Sequence, residues 1–288
     1  MSSTTRLSSS IGEGSSIGQD SGIRSRIGLS SYAFFWQLSD RVAAPLTLHE
    51  ALAETAALGV DLFQICDYAP LETMTDAELE AVRATADALG MSLELGTKGI
   101  RPEHLRKFLR IAGILGAPLL RTMFNVPGHT PDADEAAAVF TDVLPEFEAA
   151  GVKIAVETYE QVPTSRVLDV IARVGSPSLG ICSDPANTVA ALESPREVID
   201  AVAPYVLNMH IKDFAFSRKE GWVGFTYSGA PLGEGLLDYA YMARKLQPKE
   251  RNINQIIEHW LPWQASEEET IRLEKQWTQQ SLDFLRSN

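Results

Sequence analysis

The chain has 288 residues, enough for one large domain or two small ones, and 45% of them are hydrophobic, which suffices for a sizeable core. A net charge of −13 argues against a nucleic-acid surface, because phosphate binding needs a positive footprint. No apolar run approaches the roughly 20 residues that span a bilayer, so neither nucleic acid nor membrane is expected as a partner.

The first 26 residues, "MSSTTRLSSSIGEGSSIGQDSGIRSR", are rich in Ser and Gly and lack the apolar core of a secretory signal peptide. Residues 1–26 therefore read as a disordered tail outside the fold. From Ile27 onward, short β-like runs alternate with amphipathic helical segments. The runs are "IGLSSY" (27–32), "LFQIC" (62–66), "SLELG" (92–96), "LLRTM" (119–123), "KIAVE" (153–157), "LGICS" (179–183), "VLNMHI" (206–211) and "QIIEH" (255–259).

Start and stop signals frame the helices between them. Thr47 and Glu50 make a capping-box pattern, with Gly59 past the end of "LHEALAETAAL". Thr75 and Glu78 repeat the device, closed by Gly90. "PEHLRKFLRIAGIL" stops at Gly116 and "DEAAAVFTDVLPEFEAA" at Gly151, with Pro145 expected to kink or break the latter. Eight βα units over residues 27–288 fit a single (β/α)8 TIM barrel of the α/β class. A doubly wound open sheet would need a Gly-rich phosphate fingerprint after the first strand, and "SSYAFFW" is not one. Cys66 and Cys182 stand far apart without CxxC spacing and read as buried free thiols, which suits a reducing, cytoplasmic setting.

Barrel enzymes place their chemistry at the C-terminal ends of the strands. The fifth predicted strand ends in Glu157, the sixth in Asp184, the seventh in His210 and the eighth in Glu258. Carboxylates crowded around one mouth repel one another unless a cation sits between them. Three carboxylates and an imidazole make a hard, mostly oxygen site suited to one divalent ion, Mn²⁺ or Mg²⁺, with Co²⁺, Fe²⁺ or Zn²⁺ as alternatives. His210 then reads as a neutral ligand whose second nitrogen needs a partner. His49 and His104 fall in first turns of helices and read as solvated. His129 lies in a loop that could reach the mouth, and His259 alternates away from Glu258.

The segments "IAVETYE", "GICSDPANTV", "LNMHIKDF", "GAPLGEGLLDY" and "IIEHW" resemble the xylose isomerase-like TIM-barrel superfamily of sugar isomerases, epimerases, dehydratases and lyases, from Ile27 to the C-terminus. The resemblance implies Glu157, Asp184, His210 and Glu258 as metal ligands, and a homo-oligomer as the assembly. Ketose 3-epimerases of this superfamily use the two ligand glutamates as an acid–base pair, which Glu157 and Glu258 would supply. Two positions depart from them: the histidine three residues after the aspartate is Asn187 here, and the substrate-binding arginine six residues after the metal histidine is Phe216. Endonuclease IV shares the fold but uses a histidine-rich zinc cluster, and five histidines with an acidic balance disfavour DNA repair. "YAFFW", "KDFAF", "GWVGFTYSGAPLGEG" and "EHWLPW" look closer to the 3-oxo-isoapionate decarboxylase branch. That branch implies loss of CO2 from a 3-oxo sugar acid through an enediolate, an anion that a divalent cation stabilises.

Pocket residues decide between CO2 loss and proton transfer. Lys212 alternates onto the side of His210 and is expected as a catalytic cation that pairs with a carboxylate or polarises a carbonyl. Asp213 reads either as its orienter or as a loop cap. Lys98, Arg121 and Asn187 are expected to contact substrate, with Glu94 as a partner for Arg121 or a solvated residue. Tyr32, Phe34, Phe35 and Trp36, with Trp222, Phe225 and Tyr227 in the long segment after His210, read as an apolar wall over a sugar or as packing. "GAPLGEG" lacks the GK[ST] ending of a phosphate loop, so its glycines serve tight turns before a helix near Leu236. The alternatives are a ketose isomerase or epimerase, a polyol-ketone dehydratase, and a non-catalytic sugar-acid sensor.

Overall fold

The computed structural model describes residues 25–288, so all but the last two residues of the expected tail lie outside the described residues. Ser25 and Arg26 already hold the barrel: Ser25 Oγ donates to the Ile253 carbonyl at 2.6 Å, and the Arg26 amide donates to Asn254 Oδ1 at 3.1 Å. Ser25 and Arg26, the last two residues of the expected tail, thus belong to the fold.

The chain then runs β1 (Ile27–Ser30), α1 (Leu48–Ala57), β2 (Leu62–Cys66), α2 (Asp76–Ala88), β3 (Ser92–Gly96) and α3 (Pro102–Leu115). It continues through β4 (Leu119–Thr122), α4 (Ala133–Ala149), β5 (Lys153–Glu157), α5 (Thr164–Val174), β6 (Leu179–Ser183), α6 (Pro185–Ala190), α7 (Pro195–Val202) and β7 (Val206–Ile211). The last part holds β8 (Phe214–Arg218), β9 (Phe225–Gly229), α8 (Tyr239–Leu246), α9 (Pro248–Arg251), β10 (Asn254–Ile257) and α10 (Glu267–Ser287). Eight parallel strands close in the order β1-β10-β7-β6-β5-β4-β3-β2, a single (β/α)8 barrel. All eight runs read from the sequence form its staves. Among the described residues no helix is long and apolar enough to cross a membrane.

Both capping boxes close as their residue types require: Thr47 and Thr75 each accept from the amide three residues on, and Glu50 and Glu78 reach back. Pro145 does not break α4, contrary to expectation. It lies on the exposed side while Phe140, Val143, Leu144 and Phe147 bury the other face.

The segment after His210 is an antiparallel hairpin, β8 with β9, rather than an irregular loop. Asp213 closes its base. Its carboxylate accepts from the amides of Phe214, Gly233, Gly235 and Leu237 at 2.8–2.9 Å, which makes it the loop cap and not an orienter of Lys212. A Cβ on Gly235 would lie 2.2 Å from Asp213 Oδ1, so glycine is required there by close approach. The following helix starts at Tyr239, capped by Asp238, three residues beyond the expected Leu236.

Candidate metal centre

Four strand ends converge at the C-terminal mouth. Glu157 closes β5, Asp184 directly follows β6, His210 is next to last in β7, and Glu258 directly follows β10. All four side chains are buried, none more than 2% exposed. Glu157, Asp184 and His210 each bring a ligand atom within 4.8 Å of the other two. His210 Nδ1 stands 3.6 Å from Glu157 Oε1, 3.7 Å from Asp184 Oδ2 and 3.3 Å from Glu258 Oε2.

That nitrogen has no hydrogen-bond partner, although it is buried. The opposite ring atom explains why. His210 Nε2 lies 2.9 Å from Gln64 Oε1, and an amide oxygen can only accept, so Nε2 carries the proton and Nδ1 offers a lone pair to the carboxylates. Ligand atoms sharing a small divalent ion at about 2.1 Å stand roughly 3 Å apart or slightly more. The observed spacing and the orphaned Nδ1 and Asp184 Oδ2 fit such an ion. Burial would lower the imidazole pKa, yet Cys182, Glu258 and Glu157 around it raise it well above the usual range, so that a proton takes the Nδ1 lone pair wherever no cation does. The centre calls for positive charge at that point.

Two buried cations flank the cluster. Lys212 Nζ lies 2.8 Å from Asp184 Oδ2, outside hydrogen-bond geometry, and donates to Glu258 Oε2 at 3.0 Å. It also sits 4.5 Å from the ring centre of Trp260. Burial would lower its pKa, but Asp184 and Glu258 raise it, and Lys212 in turn holds Asp184 below the usual range against desolvation. On the other side Arg121 Nε donates to Glu157 Oε2, while its Nη1 reaches Asp67 Oδ1 at 3.1 Å and the Thr97 carbonyl at 3.0 Å. The three remaining carboxylate oxygens are engaged: Asn187 Nδ2 donates to Glu157 Oε1 at 2.6 Å, the Asn187 backbone amide to Asp184 Oδ1 at 3.2 Å, and Ser30 Oγ to Glu258 Oε1 at 3.0 Å.

Asp67 links the centre to solvent. It adopts a left-handed φ of 51° directly after β2 and accepts from Tyr32 Oη at 2.9 Å. Lys98 Nζ, half exposed, is 3.1 Å away. A cavity of about 840 Å³ between the loops after β1 and β2 reaches inward to Tyr32, Cys66 and Asp67, and a second of about 410 Å³ shares Asp67 and is lined by Lys98. Strained backbone of this kind gathers at ligand sites.

Other expected residues fall elsewhere. Glu94 is neither solvated nor paired with Arg121; it is buried below the centre, accepting from Gln64, Asn208 and Asn254. Trp222 sits at the exposed turn of the hairpin, 79% accessible, against Arg218, with Phe225 beside it. Of the hairpin's share of that wall, Trp222, Phe225 and Tyr227, only Tyr227 turns inward, packing on Trp260 and donating to the Ala186 carbonyl at 2.6 Å. Phe34 is core, packed on Phe63, whereas Trp36 Nε1 donates to the Leu261 carbonyl and its ring meets Trp263. His129 bonds Glu135 in the first turn of α4 and does not join the strand-end cluster. His104 is half-buried, bonded to Thr97 and packed on Phe108, not simply solvated. His259 does point away, to Thr278, and Cys66 and Cys182 are buried free thiols.

Sequence reasoning missed Asp67, Gln64 and Ser30. Asp67 follows β2 just as Asp184 follows β6 and Glu258 follows β10, so the same strand-end rule applied to "LFQICD" finds it. A glutamine inside the wholly buried run of β2 was the signal for Gln64.

Comparison with known proteins follows from this geometry. Residues 52–288 match the family described as xylose isomerase-like TIM barrel. A 3-oxo-isoapionate decarboxylase from Pectobacterium atrosepticum is 57% identical over 259 residues, covering 90% of this chain and 94% of the relative. Among solved structures, the chain is similar in fold to D-psicose 3-epimerase from Clostridium cellulolyticum H10 with D-tagatose, at TM-score 0.70 and 14% identity, covering 91% of this chain and 98% of that one. It is also similar to a xylose isomerase-like TIM barrel protein from Mycobacterium smegmatis in complex with magnesium, at TM-score 0.63 and 18% identity, covering 89% and 96%.

Proposed function

The chain belongs to the xylose isomerase-like TIM barrel family of enzymes, and from that premise we propose that it is a divalent-metal-dependent decarboxylase of a 3-oxo sugar acid. The observation that carries this reading is the pair of buried cations, Arg121 and Lys212, set among the carboxylates. Glu157, Asp184, Glu258 and Asp67 outnumber Arg121, Lys212 and Lys98 by one charge. One divalent ion reverses that to a single positive excess, which matches a monoanionic acid better than a neutral ketose. The 57% identity to a protein of that named activity supports the same choice.

Glu157, Asp184 and His210 would hold the ion, with Glu258 beside them. Mn²⁺ or Mg²⁺ suits so oxygen-rich a set. When bound, the ion supplies positive charge beside the ketone and neighbouring hydroxyl oxygens, where negative charge develops as the carbon–carbon bond breaks. The chain does the rest. Lys212 keeps Asp184 and Glu258 ionised and places a second fixed charge at the ketone side of the site. Arg121 and Asn187 fix both oxygens of Glu157. Tyr32, Asp67 and Lys98 line the approach and would bind the hydroxyls and carboxylate. Trp36 helps fix the loop after β1, and Trp260 with Tyr227 closes the Lys212 side against water. Trp222, on the hairpin turn, would reach a substrate only through its rim.

The test is CO2 release from a 3-oxo sugar acid by chelator-treated protein, with and without Mn²⁺ or Mg²⁺. Release that requires the added ion supports the reading; release unaffected by chelator removes the metal from it.

A further inference from the structure

Beneath the metal centre the barrel interior holds four amide or carboxylate side chains whose hydrogen bonds run in one direction. Gln64 and Glu94 face each other across β2 and β3, and Asn208 and Asn254 across β7 and β10. The direction is set at the far end. The Arg26 backbone N–H can only donate, and it donates to Asn254 Oδ1 at 3.1 Å, so the Asn254 amino group faces inward. Asn254 Nδ2 donates to Glu94 Oε1 at 2.7 Å. On the other oxygen Glu94 accepts from Asn208 Nδ2 at 2.9 Å and from Gln64 Nε2 at 3.1 Å. Gln64 Nε2 also donates to Asn208 Oδ1 at 3.2 Å, an amide that Glu94 itself orients through Asn208 Nδ2. With its amino group held on that side, Gln64 must turn its carbonyl toward His210 Nε2, at 2.9 Å.

We propose that Glu94 is a positioning residue for the metal centre: by fixing the amide of Gln64 it fixes the His210 tautomer that leaves Nδ1 free as a ligand. Glu94 touches neither metal ligands nor the cavities, so its burial has no other evident use. A buried carboxylate is costly unless its lone pairs are met, and here every partner is an amide N–H donor. Desolvation raises its pKa, and the amide donors of Asn254, Gln64 and Asn208 oppose that. Glutamine at the same position keeps the volume but brings a donor. With the new amino group in the place of Oε2, Gln64 and Asn208 both lose that acceptor, and Gln64, left with only the longer bond to Asn208 Oδ1, can present its amino group to His210, which stabilises the wrong tautomer.

This inference rests on His210 being a metal ligand, and its test reads metal binding and tautomer instead of turnover. Glu94→Gln should weaken Mn²⁺ or Mg²⁺ binding, measured by chelator competition, by about tenfold or more. In ¹⁵N-histidine NMR of the Mg²⁺-loaded unaltered chain, His210 should carry its proton on Nε2. The double variant Gln64→Glu with Glu94→Gln reverses the pair. Glu at 64 again offers His210 only acceptors, while Gln at 94 donates to it and Asn208 turns about to match. Metal affinity should return toward that of the unaltered chain. Unchanged affinity in Glu94→Gln, or a proton on Nδ1 in the unaltered chain, would overturn the proposal. A double variant as weak as the single one at equal melting temperature would also overturn it, leaving Glu94 a structural group alone. Should Glu94→Gln fail to fold, Gln64→Leu, which removes the acceptor from His210 Nε2, is read in its place, and unchanged metal affinity there would overturn the proposal. No divalent binding by the unaltered chain would sink the metal reading together with this one.

Discussion

Arg121 donates to Glu157 from inside β4, joining a buried guanidinium to a carboxylate of the candidate metal centre, and its other arm holds Asp67. Neither Arg121 nor Glu157 is more than 3% exposed. Removing the cation leaves two carboxylates facing each other across a dry space. Arg121→Met is expected to lower folding stability by about 3–5 kcal/mol. Denaturant unfolding of the chelator-treated protein measures it; a loss below about 1 kcal/mol would mean the pair is solvated in solution. Arg121→Lys should recover only part, because one ammonium cannot serve both carboxylates and the Thr97 carbonyl.

His210 and Asp184 hold the orphaned ligand atoms. His210→Ala and Asp184→Asn should each reduce bound Mn²⁺ or Mg²⁺ to well below one equivalent by elemental analysis, with turnover lost in parallel. Full metal occupancy in either variant would remove that residue from the ligand set.

The two glutamates differ in surroundings, and their variants should differ in kind. Glu258→Gln leaves the Lys212 ammonium with Asp184 as its remaining ion pair. Glu157→Gln leaves Arg121 with Asp67. Both should cut kcat by about a hundredfold or more, and Glu157→Gln should weaken metal binding more, since Glu157 belongs to the compact triad. Wild-type turnover in either would contradict the assignment.

Glu274 gives a pH signature away from the centre. It lies on α10, accepting from the amides of Trp36 and Gln37 and from the Gln37 side chain. Burial raises its pKa from 4.5 to about 7 despite those donors. The folded state thus binds a proton that the unfolded chain has already released between those two values. Its contribution is full below pH 4.5 and is lost as pH rises to about 7. The loss is on the order of 3 kcal/mol. Measured at pH 5 and pH 7.5, the unfolding free energy of the wild-type chain should fall relative to that of Glu274→Gln by most of that amount at the higher pH; parallel curves would place Glu274 in water.

The exposed Trp222 bounds the role of the hairpin. Trp222→Ala should change stability by less than about 0.5 kcal/mol and leave kcat unchanged, whereas Tyr227→Phe should raise KM or lower kcat through the lost bond to Ala186. Equal effects would show that the whole hairpin meets substrate.

How much of this was legible in the sequence follows from where each signal resides. Period, caps and strand-end position are local, so the barrel, its eight staves and the Glu157, Asp184, His210 and Glu258 set could be read directly. The partners of Arg121 and Glu94 could not, because they depend on barrel register: β4 lies beside β5, which delivers Glu157 to Arg121, while Glu94 pairs in register with Gln64. The hairpin was hidden by its glycines, which mask the alternation of "FAFSR" and "FTYSG". Asp67 stands directly after β2, the same strand-end position that marks Asp184 and Glu258, so its signal is as local as theirs.

The most direct measurement offers the Mn²⁺-loaded chain a 3-oxo sugar acid labelled with ¹³C in its carboxylate and, separately, the free ketose that decarboxylation would leave. Decarboxylation predicts labelled CO2 equal to ketose formed, with kcat/KM for the acid far above that for any change in the ketose. Epimerised or isomerised ketose without labelled CO2 would contradict it.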